Sequence, residues 1–149
     1  MRQDFRCNCP FTSALDVLGD KWILVIVKQM LIEGKETFKD FTESEEAIAT
    51  NILSAKLKFL EEVGLILKTQ RPDNKKTNLY LLTEKGLSLT PILVELATWS
   101  DNNLRDIHPT LVNGEAMELL RTDKAAFAKM FEKKYREKLA TTLYKSNSG

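Results

Sequence analysis

The sequence is short of the residues on which most enzymes and secreted scaffolds depend. Its 149 residues include one histidine, His108, and two cysteines, Cys7 and Cys9. A lone histidine excludes most histidine-based metal sites and His-dependent triads made within one chain. Two cysteines cannot build a secreted disulfide scaffold, and no CxxC pair occurs. None of the six glycines belongs to a phosphate-cradling loop. No apolar run approaches the roughly 18 residues of a membrane helix. No hydrophobic signal region follows the opening residues, so a cytoplasmic location is expected. An excess of one charge is missing as well: 22 Lys and Arg meet 21 Asp and Glu, for a net +1. A nucleic-acid partner must therefore be met by locally concentrated charge. These absences lead us to expect a non-enzyme without metal, cofactor or membrane partner.

What is present suits a soluble globular domain: 43% apolar and 29% charged residues. Phe11, Ala14, Leu15 and Leu18 fit a short helix that Gly19-Asp20 breaks, and Asp20 can cap the helix that follows. Residues 21–32 are apolar all round, and their length favours a buried helix with Gly34 as its stop. Glu36-Thr37 could form a very short strand, and Phe38 and Phe41 mark a short helix. Residues 50–63 carry Leu53, Leu57 and Leu60 as one stripe and end at Gly64. Two β-prone runs, 65–71 and 77–82, flank a basic tip at 72–76 and read as a hairpin. A helical stretch then runs from Thr83 to Trp99, with Pro91 kinking or restarting it. Residues 100–103 should loosen, Pro109 and Gly114 mark a connection, and a last helix covers about residues 123–143. Residues 146–149 should fray.

This order places a helix-turn-helix before a hairpin wing, within a mainly α fold with a small β-hairpin (α+β). The layout suits duplex DNA, with one helix face in the major groove and the wing tip on flanking DNA. Opposite the leucine stripe lie Asn51, Ala55 and Lys58, flanked by Thr50 and Ser54. Asn can pair with adenine and Lys with guanine or phosphate; a plain solvated face would look similar. Residues 68–76 hold four cations, Lys68, Arg71, Lys75 and Lys76, against Asp73. With Asn74 they form the candidate wing contact. The competing reading is a hairpin edge protected by lysines.

Cys9-Pro10, the run from Leu15 to Trp22, Phe38-Lys39-Asp40-Phe41, the run from Leu53 to Ile66, and the run from Tyr80 to Gly86 occur in order. With the Leu-rich helix closing at Trp99, this set resembles the HxlR-type winged helix-turn-helix transcriptional regulators over residues 9–100. The resemblance implies a cytoplasmic bacterial or archaeal homodimer on a near-palindromic double-stranded DNA operator. It implies terminal helices that dimerise and a recognition helix from Thr50 to Val63. It also implies a thiol, Cys9, at the position where several members sense oxidants or electrophiles. The implied division is an N-terminal arm (1–9), a winged helix-turn-helix domain (10–106) and a helical extension for dimerisation (107–149).

The chain departs from the family pattern. Ala47 and Ala49 stand where Gly and Ser usually flank Ile48, so the recognition helix loses its usual N-cap unless Thr50 takes the role. Glu45 occupies a commonly apolar position, and Glu45 and Glu46 put negative charge near the DNA side. Phe59 should pack against the wing base or a partner. Cys9 precedes a helix and is close in sequence to Arg6, both of which can lower a thiol pKa. Cys7 could act as a resolving thiol; two inert thiols are the alternative. Trp22 and Trp99 are expected in the core and His108 in a loop, although a small pocket near the dimer interface could accept a small-molecule effector. Residues 121–138 hold seven cations against three anions, a solvated face, a dimer clamp or an extra DNA contact. The competing overall function is a winged-helix protein-interaction module without specific DNA binding.

Overall fold

The computed structural model describes residues 4–148, with side chains through Lys145. The first three residues of the expected arm and Gly149 lie outside the described residues, as do the side chains of the expected fraying end. The chain runs α1 (Pro10–Leu18), α2 (Ile23–Leu31), α3 (Phe38–Thr42), α4 (Thr50–Glu62), β1 (Ile66–Arg71), β2 (Asn74–Leu82), α5 (Glu84–Leu87), α6 (Thr90–Asn103), α7 (Glu115–Thr122) and α8 (Lys124–Ser148).

Local chemistry sets these boundaries. The Asp20 carboxylate accepts the Trp22 amide at 2.8 Å, ahead of α2. Thr37 and Asp40 cap α3 reciprocally, which satisfies amides that the helix leaves free. Gly64 ends α4 at φ +80°, a backbone state that costs glycine little. A Cβ on Gly86 would stand 2.2 Å from the Leu65 carbonyl oxygen, so only glycine lets α5 approach the chain just before β1. Pro91 restarts the helix: α5 stops at Leu87, and Pro91 falls in the first turn of α6, where its missing N–H costs nothing.

Ile26, Val27, Met30, Phe41, Leu53 and Leu60 make the centre of the core. The α4 leucines each contribute about 2 kcal/mol by leaving water. β1 and β2 pair antiparallel, Ile66 opposite Leu82 through Gln70 opposite Asn78. α8 folds back over this core. Its buried Tyr135 hydroxyl oxygen accepts the Leu82 amide at 2.7 Å, and burial pushes the phenol pKa up to about 12. Lys138 donates to the Gly34 carbonyl at 2.8 Å, and Arg136 pairs with Glu84.

Several expectations need correction. The 36–37 strand is absent; one bond, Tyr80 amide to Glu36 carbonyl at 2.8 Å, stands in its place. The hairpin turn is only Pro72-Asp73, because pairing continues to Arg71 opposite Asn74. α6 does not loosen at residues 100–103 but runs to Asn103. Trp99 is 58% exposed rather than core, because α6 turns that face outward. α7 lies in a stretch read as a connection. Asp101 bonds Arg105 and Arg121 and thereby ties α6 to α7. α8 continues to Ser148, past the expected end near residue 143.

Candidate nucleic-acid interface

The recognition-helix candidate is held from behind and bare in front. Leu53, Leu57 and Leu60 seat α4 in the core, so Thr50, Asn51, Ser54, Ala55 and Lys58 are all exposed on its other side. Phe59 is half-buried against the core. Lys56, on the helix flank, donates to Asp20 at 2.7 Å and so pins α4 to the start of α2. That bond holds the Asp20 carboxyl below its ordinary pKa.

The wing tip presents Arg71, Asn74, Lys75 and Lys76, all exposed. Pairing is irregular between Gln70 and Arg71, so Lys75, Lys76 and Thr77 have no partner residue across the ladder. The Asn74 side chain accepts the Lys76 amide at 3.1 Å and shapes this bulge. Arg71 bonds Asp73 at 2.8 Å, so its charge is partly met within the tip. Lys75 and Lys76 carry the outward positive charge. Between wing and helix lies a cleft of about 620 Å³ lined in part by Ser54, Lys58, Glu61, Lys68 and Tyr80.

The turn before α4 differs from its sequence reading. Ala47 adopts φ +53°, the left-handed state that costs a non-glycine residue about 1 kcal/mol. Ala49 is the N-cap and supplies no side-chain bond; Thr50 is the first helical residue and does not take the role. Glu46 points inward. It pairs with Lys28 and accepts from the Gln29 side chain at 2.8 Å. Gln29 also donates to the buried Ser44 hydroxyl at 2.9 Å. Burial pushes the Glu46 carboxyl up, but its bonds to Lys28 and Gln29 outweigh this and hold it below the usual carboxylate range. Glu46 thus carries a neutralised charge and fastens the turn, whereas Glu45 stays exposed. The polar pair Lys28-Gln29 within an apolar helix was the available signal for this cluster, and sequence reasoning missed it.

Cys9 is the N-cap of α1, and Cys7 and Cys9 are exposed free thiols. The Thr12 amide and hydroxyl and the Phe11 amide lower the Cys9 pKa. The expected help from Arg6 takes another course, since Arg6 bonds Asp16 at 2.5 Å. His108 lies in the loop after α6. Among the described residues no cluster of three or more His, Cys, Asp or Glu could hold a metal ion. Among them, too, no helix is long and apolar enough to cross a membrane.

Comparison with known proteins agrees with this geometry. The HTH-type transcriptional regulator YodB of Bacillus subtilis is 33% identical over 94 residues, 62% of this chain and 83% of that protein. The redox regulator HypR in its reduced form matches with a TM-score of 0.57 at 28% identity, covering 68% of this chain and 99% of that one. The quinone-bound form of B. subtilis YodB matches with a TM-score of 0.52 at 32% identity, covering 63% and 98%. The profile described as HxlR-like helix-turn-helix matches residues 17–108. The chain therefore belongs to the HxlR-like helix-turn-helix family, and it is a winged-helix transcriptional regulator, not an enzyme.

Proposed function

We propose that the protein acts in the cytoplasm as a homodimer on a near-palindromic operator. Each subunit sets α4 in the major groove through Thr50, Asn51, Ser54, Ala55 and Lys58. Arg71, Asn74, Lys75 and Lys76 of each wing meet the flanking DNA. The observation that carries this reading is the bare polar face of α4 beside a wing whose exposed lysines stand on a bulge. Twofold symmetry supports half-sites about one helical turn apart. The subunits meet through the exposed apolar residues Phe11 and Leu15 of α1 and Ile92, Leu96 and Trp99 of α6.

Cys9 is the sensing thiol in this reading. It is exposed, its thiolate is favoured by a helix N-terminus, and HypR and YodB are structural relatives crystallised in redox or quinone-bound forms. Oxidants or electrophiles reach Cys9 directly, and Cys7, two residues away, is the candidate resolving thiol. A salt-titrated mobility-shift assay on genomic fragments tests the DNA reading. Preference for a subset of fragments, weakening steeply with salt, is expected. Equal affinity for all fragments, or binding that ignores salt, refutes it.

A further inference from the structure

α2, α6 and α8 line a half-open cavity of about 380 Å³, a size typical of small-molecule sites. Val25, Leu93, Ala97, Phe127 and Phe131 form most of its wall. Two of them, Phe127 and Phe131, come from α8, beyond the residues the family profile matches. The extension therefore builds a concavity that the matched segment lacks by itself. On α6 the lining residues Leu93, Ala97 and Ser100 each follow Ile92, Leu96 and Trp99 by one position, about 100° around the helix, and Leu96 belongs to both the wall and the outer stripe. A second copy seated on the outer stripe therefore shares the cavity wall at Leu96, which makes self-association a competing occupant.

The wall also determines what it accepts. Its one charged side chain is Lys28, already paired with Glu33 and Glu46. An anion meets no free positive charge there. The remaining polar side chains are the hydroxyls of Thr90 and Ser100, suited to one polar group on a ligand. Lys28 lines the cavity, and its ammonium pairs with Glu46 in the turn before α4.

We propose that this cavity binds a neutral, largely apolar small molecule, and that Lys28 couples its occupancy to the recognition helix. The coupling rests on the DNA-binding reading above; the cavity itself does not. A ligand against the Lys28 stem competes with the side-chain position that reaches Glu46. It favours a looser turn at residues 44–49 and weakens DNA binding. By linkage, DNA weakens the ligand by the same factor.

The full chain is titrated with N-phenyl-1-naphthylamine, a neutral fluorophore that brightens in apolar sites. Saturable binding of one probe per chain is expected, lost in Ala97→Trp, which fills the cavity. Val25→Phe serves as a second filling variant, and circular dichroism verifies that each is folded. Undiminished binding in a folded filling variant overturns the site. So does capacity that falls as protein concentration drives self-association, since a second copy then occupies the cavity. Coupling is read by hydrogen exchange. Saturating probe should speed exchange of amides 44–53 in the parent chain and leave Lys28→Met unaffected. An equal response in both, or in neither, overturns the coupling. In the shift assay the same probe should weaken fragment binding about 5-fold. Probe binding and exchange need no DNA, so they remain decisive even if the shift assay fails.

Discussion

The turn before the recognition helix can be improved by two substitutions, and their magnitudes follow from the backbone. Ala47 sits at φ +53°; relieving a left-handed alanine returns about 1 to 2 kcal/mol. Glycine at the same place enlarges the unfolded ensemble, which takes back about 0.4 to 1 kcal/mol. Ala47→Gly should therefore stabilise by about 0.5 kcal/mol. Ala49 has the extended conformation of an N-cap, φ −65° and ψ 143°, without a capping side chain. Ala49→Ser places a hydroxyl where it can accept a free amide of the first turn, for about 1 kcal/mol. The double variant should gain about 1.5 kcal/mol. With a urea m-value of about 2 kcal/mol/M, the midpoint rises by roughly 0.7 M at unchanged m. Protein concentration must be held constant if the chain is dimeric. Ala55→Gly, on the exposed helical face, is the control and should lose about 1 kcal/mol. If Ala47→Gly destabilises as much as Ala55→Gly, the left-handed assignment is wrong. If Ala49→Ser changes nothing, that amide is already satisfied.

Three further outcomes are expected. Lys75→Ala with Lys76→Ala removes four cations from the proposed dimer and should reduce the slope of log affinity against log salt by about 3 to 4; Arg71→Ala should act less, because Asp73 already meets its charge. Iodoacetamide should alkylate Cys9 faster than Cys9 of the Thr12→Val variant at neutral pH, as followed by mass spectrometry, because the hydroxyl is one of the groups favouring the thiolate; equal rates remove the hydroxyl from the account and leave it to the backbone amides of the first turn. The folded Glu46 carboxyl lies below its unfolded pKa, so its contribution is complete above the ordinary carboxylate range and fades as pH falls through about 4 and below. Glu46→Gln should flatten this acid limb in urea melts at stepped pH, and an unchanged limb assigns it to Asp20, Asp40 and other carboxylates.

The parts of the fold that obey a period or a local stop were readable from sequence. The Leu53, Leu57, Leu60 stripe and its stop at Gly64 depend on neighbours within a turn or two. Other features depend on what arrives from far along the chain. Nothing near Tyr135 says that its hydroxyl meets the Leu82 amide, and nothing near Glu46 says that Lys28 draws it inward. Trp99 looks like a core residue because its helix is apolar, yet the sequence does not say which face α8 covers. α7 was hidden because Met117, Leu119 and Leu120 are few and its lead-in, Asn113-Gly114, reads as a loop. At the candidate DNA face, exposure followed correctly from the stripe opposite it. The exact tip did not, since strand pairing across Pro72-Asp73 is decided by the two strands together.

The fold-back of α8 has a consequence for how the protein comes into being. Lys138 binds the Gly34 carbonyl, 104 positions earlier, and Tyr135 closes the base of the wing. During synthesis the matched segment leaves the ribosome well before these residues do. It must wait with part of its interior uncovered, an interval in which aggregation or proteolysis can compete with folding. A nonsense codon after residue 108 would retain every candidate DNA-contacting side chain and still remove the lid of its core. Completion of the chain, beyond mere possession of the reading head, is thus built into when this regulator can first act.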